Sequence, residues 1–258
     1  MKHVVMFSGG IGSWAAAKRV VEKYGQKDVT LLFSDTLMED EDLYRFLDEA
    51  AKNIGAPLVR LCDGRTPWEV FFQVRFLGNS RIDPCSKNLK RDLLDKWRNE
   101  NLNPETDVIY VGIDWSEIHR LETIRKYVAP WNYQAPMCEP PYIEKPEMLK
   151  MLIKAGIRPP RLYEMGFPHN NCGGFCVKAG QAHFKNLLEK MPERYRFHEE
   201  KEQEIRKFLG KDVAILRHRS GPLKDEPWTL RDFRLTLEAK GEVDVHEWGG
   251  CGCALPTG

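Results

Sequence analysis

The sequence has no long hydrophobic run, no strong net charge, no low-complexity tract and no internal repeat. Its apolar stretches fall well short of the roughly 18 residues that a membrane span needs, and the opening "MKHVVMFSGG" is too short an apolar run for a signal peptide. The formal net charge is +1 over 258 residues. We therefore expect a soluble, cytoplasmic protein with no membrane partner.

Several familiar glycine and cysteine spacings are also missing. The glycine-rich start has neither the G-x-x-x-x-G-K-[ST] spacing of a Walker loop nor G-x-G-x-x-G, which argues against an ordinary NTPase and a dinucleotide dehydrogenase. No two cysteines have the C-x-x-C spacing of a zinc ribbon, and the odd total of 7 argues against a complete set of disulfides.

Short apolar runs alternate with helix-length patterns in the first half of the chain. The runs are rich in β-branched residues and cover residues 3–7, 28–33, 57–61 and 107–112. The helical patterns between them begin near Ser13, Glu41 and Thr66, and the first two end in glycine. This alternation is typical of βαβ units. It predicts an α/β fold, a Rossmann-like parallel sheet with helices on both faces.

The pattern changes after about residue 130. Proline-rich loops are followed by predicted helices over residues 146–155, 178–190, 192–209 and 229–239, and "DVAILRH" is either one more strand or a buried turn. We expect two parts, a nucleotide-type core (1–130) and a mainly helical, cysteine-bearing extension (131–258). Lys and Arg exceed Asp and Glu over residues 151–240, which fits either an anionic partner or a solvated helix face.

The glycine loop, residues 8–13, follows the first predicted strand and opens a helix. Its sequence "SGGIGS" matches S-G-G-x-x-S. A plain strand-to-helix turn would use the same residue types. In this context, however, the loop resembles the PP-loop of the adenine nucleotide α-hydrolase-like superfamily. The resemblance implies that ATP or another adenine nucleotide binds through its pyrophosphate, with Mg²⁺. The phosphate-binding residues would be Ser8, Gly9, Gly10, Gly12 and Ser13.

Two stretches resemble the PAPS-reductase-like branch of this superfamily. "CSKNLK" is similar to C-[ST]-x-x-L-K and makes Cys85 and Lys90 catalytic candidates. Cys85 stands at the N-terminus of a predicted helix, a position that lowers a thiol pKa and would suit a nucleophile or a cluster ligand. "GIDWSEIHR" is similar to G-x-R-x-x-E-x-x-R and supplies Gly112, Glu117 and a catalytic candidate, Arg120.

The match is incomplete at one position, and one further residue is a candidate. The family arginine two residues after the glycine is Asp114 here, so a phosphate contact at that position is not implied. Glu117 and Arg120 share a helical face and could simply pair. After the second strand, Asp35 occupies the place where the superfamily puts a residue beside the adenosine. The acidic residues that follow it favour a helix start near Asp40.

Four cysteines lie among glycines and look suited to metal binding. They are Cys172 and Cys176 in "NNCGGFCVK", and Cys251 and Cys253 in "GGCGC". Four thiolates suit tetrahedral Zn²⁺ or an iron–sulfur cluster, with a redox pair or free thiols as the alternatives. Cys62 ends an apolar run and is expected to be a core thiol. The "NCGGFCVKAG" stretch also resembles relatives of the DNA phosphorothioation sulfurtransferases.

These resemblances imply an enzyme. Three hypotheses about function stay open, two of them enzymatic and one not. The first is ATP-dependent activation of an acceptor followed by sulfur transfer, with nucleic acid as the acceptor and a sulfur-donor protein as partner. The second is a reductase of PAPS or a similar sulfonucleotide that uses a cysteine thiolate. The third is a non-catalytic nucleotide-binding module with a structural zinc. A homodimer is allowed, but nothing in the sequence tests it.

Overall fold

A parallel sheet of five strands forms the centre of the computed structural model, which describes residues 1–250. The strand order is β3-β2-β1-β4-β5. The strands are β1 (His3–Met6), β2 (Val29–Asp35), β3 (Leu58–Cys62), β4 (Val108–Val111) and β5 (Asn132–Gln134). The predicted α/β fold with a parallel sheet is confirmed. The first four strands match the predicted apolar runs, whereas β5 was not predicted.

Helices cover both faces of the sheet. Those in the first half are α1 (Ile11–Tyr24), α2 (Glu41–Ile54), α3 (Pro67–Val74), α4 (Pro84–Ser86), α5 (Asp92–Asn101) and α6 (Ile118–Tyr127), with a π-helical stretch Lys87–Arg91 before α5. Neighbouring residues of β1 show the two faces. Val5 packs in the cluster that contains α1 and α2, and Val4 packs with Leu94 of α5.

The ends of these helices follow the capping residues in the sequence. The Asp40 side chain accepts a hydrogen bond from the backbone of Asp42 and begins α2, and Gly55 ends it in a left-handed conformation. A capping box of Thr66 and Glu69 begins α3. The sequence predicted this third helix to reach residue 78, but it ends at Val74 because the next residue takes a positive φ.

The second half of the chain is mainly helical, as predicted. It contains α7 (Lys145–Lys154), α8 (Arg161–Glu164), α9 (Gln181–Lys190), α10 (Pro192–Leu209), α11 (Leu230–Glu238) and a small hairpin of β6 (Leu216–Arg217) and β7 (Pro227–Trp228). The "DVAILRH" run therefore contributes a strand of two residues. Within residues 1–250, none of the helices has the length and apolarity to cross a membrane.

Residues on the two sides of position 130 share apolar clusters. Met148 and Leu152 of α7 pack with α1 in the first cluster. In the second cluster, Trp68 and Phe71 of α3 pack with side chains of α8 to α11. The strand β5 also lies beyond residue 130 and pairs with β4. The division into two domains stays a prediction, while the structure joins the extension closely to the sheet.

Candidate functional site

The two segments that leave β1 and β4 meet at the carboxyl edge of the sheet. The strand order reverses between these neighbours, and open parallel sheets bind ligands at such a point. A Cβ on Gly12 would lie 2.7 Å from the carbonyl oxygen of Gly112, and a Cβ on Gly112 would lie 2.6 Å from the backbone nitrogen of Ser13. Both positions therefore require glycine, because the backbones touch.

The glycine loop leaves the first turn of α1 without a side-chain cap. Gly10 is the N-cap residue, and having no side chain it cannot cap the helix itself. The Ser13 hydroxyl instead donates to the carbonyl of Gly10, at 2.8 Å. Gly9 has a φ of +76°, and a Cβ there would approach Leu43 of α2 at 3.1 Å. Uncapped N–H groups at a helix start can bind an anion.

Most of the predicted site residues line one cleft above this loop, which we call the main cleft. They are Ser8, Gly10, Gly12, Ser13, Lys90, Gly112, Glu117 and Arg120. Gly9 and Asp35 are not among its lining residues. Gly9 turns toward α2, and the carboxylate of Asp35 accepts hydrogen bonds from the Tyr44 hydroxyl at 2.9 Å and from the backbone of Leu37 at 2.8 Å. Asp35 thus makes its contacts outside the cleft, whereas Gly9 contacts both α2 and, through its carbonyl, Asn170 of the cleft wall.

Positive and negative side chains both line the main cleft. Glu117 and Arg120 form an ion pair, as their spacing allowed. Asp114 accepts from the backbone of Ser116 at 3.0 Å and begins the short helical turn after β4. Lys145, at the start of α7, also lines the cleft and has no ion-pair partner within the described residues 1–250. No local pattern marks Lys145 as a site residue, because it stands at the start of an ordinary helix that has proline in its first turn.

The extension forms the opposite side of the glycine loop, through residues 158–171. The Asn170 side chain is buried and donates to the carbonyl of Gly9 at 2.8 Å. The Tyr163 hydroxyl accepts a hydrogen bond from the backbone of Ile11 at 3.2 Å. Neither Asn170 nor Tyr163 was singled out in the sequence. Their partners lie more than 150 residues away along the chain, so no local pattern marks them.

Two carboxylates at the start of α2 hold this segment in place. Asp42 accepts from Arg158 at 2.6 Å, from the backbone of Arg161 at 2.8 Å and from Arg45 at 2.7 Å. Asp40 accepts from the Arg161 guanidinium at 2.8 Å. The hydrogen bond from Arg45, together with the other two donors, lowers the pKa of Asp42. The acidic run therefore attaches the extension, in addition to starting the helix.

A second, smaller space, the cysteine cavity, is lined by Cys85, Cys172 and Cys176 together with Phe175 and Val177. Burial, and after it the charge of the nearby Asp83, raises the pKa of Cys85 to about 12. The lowered pKa expected for Cys85 is therefore wrong. The helix α4 has only three residues and offers little dipole to offset the burial.

The described thiols do not form a metal site by themselves. Cys172 and Cys176 border the same cavity, but within residues 1–250 no three His, Cys, Asp or Glu side chains are grouped so that they could hold a metal ion. The other two predicted ligands, Cys251 and Cys253, lie outside the described residues. Cys62 is exposed rather than buried, because β3 is an edge strand.

Lys90 lies between the main cleft and the cysteine cavity and lines both. Its ammonium is 3.9 Å from the thiol of Cys172 and 4.0 Å from the carboxylate of Glu39. Glu39 is buried and accepts hydrogen bonds from the Thr36 hydroxyl, at 2.9 Å, and from the backbone of Cys172. Burial raises the pKa of Glu39 although Lys90 opposes the shift. The sequence did not predict this carboxylate as part of the site.

No family model and no curated protein sequence matches this chain. Among solved structures, it is similar to the phosphoadenylyl-sulfate (PAPS) reductase of Candida auris, determined as a phosphate complex. The two share 13% sequence identity with a TM-score of 0.48, over 65% of this chain and 79% of that chain. A likeness of this degree does not extend to activity.

Proposed function

We propose that this protein binds an adenine nucleotide through its phosphates on the glycine loop and uses it to activate an acceptor that then receives sulfur. One observation carries the proposal. The glycine loop opens α1 at the point where the strand order reverses, its backbone is packed against Gly112, and the helix start, whose N-cap residue is a glycine, lines the main cleft. Such a helix start favours phosphate.

The charges of the main cleft suit an adenylyl transfer. In that reaction an acceptor oxygen attacks the α-phosphorus of ATP, and the bond to the leaving pyrophosphate breaks. Lys90, Arg120 and Lys145 are the cations that line the cleft and would stabilise the negative charge. Mg²⁺ takes most of its ligands from phosphates and water. Asp114 and Glu117 are the carboxylates in the cleft that would face it.

The position of Lys90 supports sulfur chemistry. Three thiols line the cysteine cavity, and Lys90 separates this cavity from the main cleft. A persulfide on Cys172, supplied by a sulfur-donor protein, would therefore be close to the activated acceptor. Its outer sulfur would bond to the acceptor carbon as AMP leaves with the acceptor oxygen, and Cys85 or Cys176 would then form a disulfide with Cys172 and release the thiolated acceptor. The same observation favours a second candidate, the reduction of a sulfonucleotide by a cysteine thiolate. A zinc or iron–sulfur centre stays a proposal that needs Cys251 or Cys253 in addition to the described thiols.

Turnover assays with the two nucleotides distinguish these candidates. The protein is incubated with Mg²⁺ and labelled ATP plus bulk tRNA or DNA, and separately with labelled PAPS plus thioredoxin. Pyrophosphate release from ATP supports adenylyl transfer, and sulfite release from PAPS supports the reductase. Calorimetric binding of both nucleotides without either product would indicate a binding module. A protein that binds neither nucleotide would contradict the proposal.

Two lysines near each other in sequence provide a matched pair of variants for the binding measurement. Lys90→Ala removes a cation from the main cleft and should weaken nucleotide binding about tenfold or more, because a hydrogen-bonded charge contributes roughly 1.5–3 kcal/mol. Lys87→Ala removes an exposed lysine that pairs with Asp92 and does not line the cleft. Its affinity should stay within about twofold of wild type. Equal losses in both variants would argue against a role for the cleft.

A further inference from the structure

Tyr163 reaches the glycine loop from the extension. Its hydroxyl oxygen accepts a hydrogen bond from the backbone N–H of Ile11 at 3.2 Å, and it lies 3.2 Å from where a Cβ on Gly10 would stand. The ring packs against the first apolar cluster, and the residue lines the main cleft. The hydroxyl therefore occupies the space directly beside the Gly10–Ile11 peptide, at the start of α1.

The proton of this hydroxyl is available for a ligand. Accepting from Ile11 uses a lone pair of the oxygen and leaves the O–H free to donate. Within residues 1–250, this O–H donates no hydrogen bond to another residue. Burial raises the pKa of Tyr163 to about 12, so the phenol stays protonated at physiological pH. It can only be a donor toward an anion in the cleft.

We infer that Tyr163 is a phosphate-binding residue: its hydroxyl, oriented by the Ile11 N–H, donates a hydrogen bond to a phosphoryl oxygen bound on the glycine loop. The inference rests on the proposed function, since it takes this loop as the phosphate site. The Tyr163 oxygen accepts from the Ile11 N–H, so this N–H no longer donates to the phosphate. The Tyr163 O–H replaces it as a donor. It contacts only the phosphoryl group, so it favours phosphorylated ligands over an uncharged nucleoside.

The tyrosine is fixed before any ligand arrives. The short helix α8 that carries Tyr163 begins at Arg161, whose backbone N–H donates to Asp42 and whose guanidinium pairs with Asp40. The hydroxyl needs little reorganisation to meet an anion, and a contact that is already ordered loses less free energy on binding. The extension thus completes a site that the loop alone leaves open on one side.

The variant Tyr163→Phe tests this role, because it removes the hydroxyl and keeps the ring in the apolar cluster. Inorganic pyrophosphate, ATP and adenosine are titrated into wild type and variant by calorimetry. A hydrogen bond to a charged group contributes enough that pyrophosphate and ATP should bind about tenfold more weakly, or worse. Adenosine carries no phosphoryl group, so its affinity should not change.

Tyr195→Phe is the matched control. Its buried hydroxyl donates to the carbonyl of Leu230 at 2.7 Å in the second cluster, away from the main cleft, so its loss should leave the three affinities unchanged. Unchanged pyrophosphate affinity in Tyr163→Phe would overturn the inference. Equal losses for adenosine and ATP would also overturn it, because they would indicate a packing role. If the wild-type protein bound pyrophosphate but no nucleotide, the proposed function would be contradicted. The pyrophosphate affinities of wild type and Tyr163→Phe would still test the role of Tyr163.

Discussion

The two sides of the main cleft are built by different kinds of contact. On the side of the sheet, the glycine loop and Gly112 touch backbone to backbone, with distances that exclude any side chain. On the other side, residues 158–171 are held by hydrogen bonds and ion pairs, chiefly to Asp40 and Asp42. The stability of the first side should therefore fall when a substitution adds side-chain volume and should hardly depend on pH. The stability of the second side should fall when a substitution removes a charge.

The largest effect is expected from Gly112→Ala. The new Cβ would stand 2.6 Å from the nitrogen of Ser13 and 2.8 Å from the carbonyl carbon of Gly12, so β4 and α1 would have to separate. We expect a loss on the order of 3 kcal/mol in unfolding free energy and at least about tenfold weaker nucleotide binding. Urea denaturation measures the unfolding free energy, and calorimetry measures the nucleotide affinity.

Gly10→Ala is the control for that substitution. Its Cβ would meet only the Tyr163 hydroxyl, at 3.2 Å, and the Ser8 hydroxyl, at 3.7 Å, so it should fold nearly as well as wild type. Equal stability of Gly112→Ala and wild type would show that the backbone contact at the switch point does not hold the loop.

A medium effect is expected from Asp42→Asn on the other side of the cleft. The amide cannot accept hydrogen bonds from Arg45, Arg158 and the Arg161 backbone together, so we expect the unfolding free energy to fall by about 2 kcal/mol. Hydrogen exchange in residues 158–171 should become faster, while exchange in the glycine loop changes less. Faster exchange spread evenly over the whole chain would contradict the division into two sides.

This substitution also gives a pH dependence. Because the pKa of Asp42 is lowered in the folded protein, its contribution is present above the unfolded-state pKa of about 4 and is lost as the pH falls through the lower folded value. The stability difference between wild type and Asp42→Asn should be full at pH 7 and shrink below about pH 4. Urea denaturation of both proteins at pH 7 and pH 3 measures this stability difference. The same difference at both pH values would show that the ionisation of Asp42 does not cause it.

The smallest effect is expected from Asn170→Ala. It leaves the Gly9 carbonyl without its donor, which should cost about 1 kcal/mol and weaken nucleotide binding by a few fold. Asn186→Ala removes a similar bond, from the side chain to the carbonyl of Met165 at 3.1 Å, outside the main cleft. It should cost similar stability and leave the affinity intact. The same affinity loss in both variants would argue that Asn170 acts through stability alone.

The same contrast explains what the sequence could predict. The strands β1 to β4 and the glycine loop were predictable, because a buried parallel strand and a tight strand-to-helix turn are both written in consecutive residues. The strand β5, "NYQ", has no apolar run, and it forms because β4 offers it an edge to pair with. Its position depends on the rest of the sheet.

The extension side of the site could not be predicted in the same way. Tyr163, Asn170 and Glu39 acquire their roles from contacts with residues more than 100 positions away. Cys85 was predictable as a candidate from its motif, but its pKa was not, because that depends on how deeply the fold buries the thiol. A motif identifies the residue type, and the tertiary packing decides its chemical state.

The placement of Lys90 has a consequence for the order of events at the two spaces that it lines. The ammonium of Lys90 lines the main cleft and lies 3.9 Å from the thiol of Cys172, so a nucleotide bound as proposed would compete with this thiol for the same positive charge. Coupling of this kind is reciprocal: a nucleotide that contacts Lys90 would weaken the contact of Lys90 with the Cys172 sulfur, and a stronger contact with the sulfur would weaken nucleotide binding by the same factor. Under the proposed function, departure of the phosphates would return the charge of Lys90 to the sulfur, so the two spaces would use it in turn.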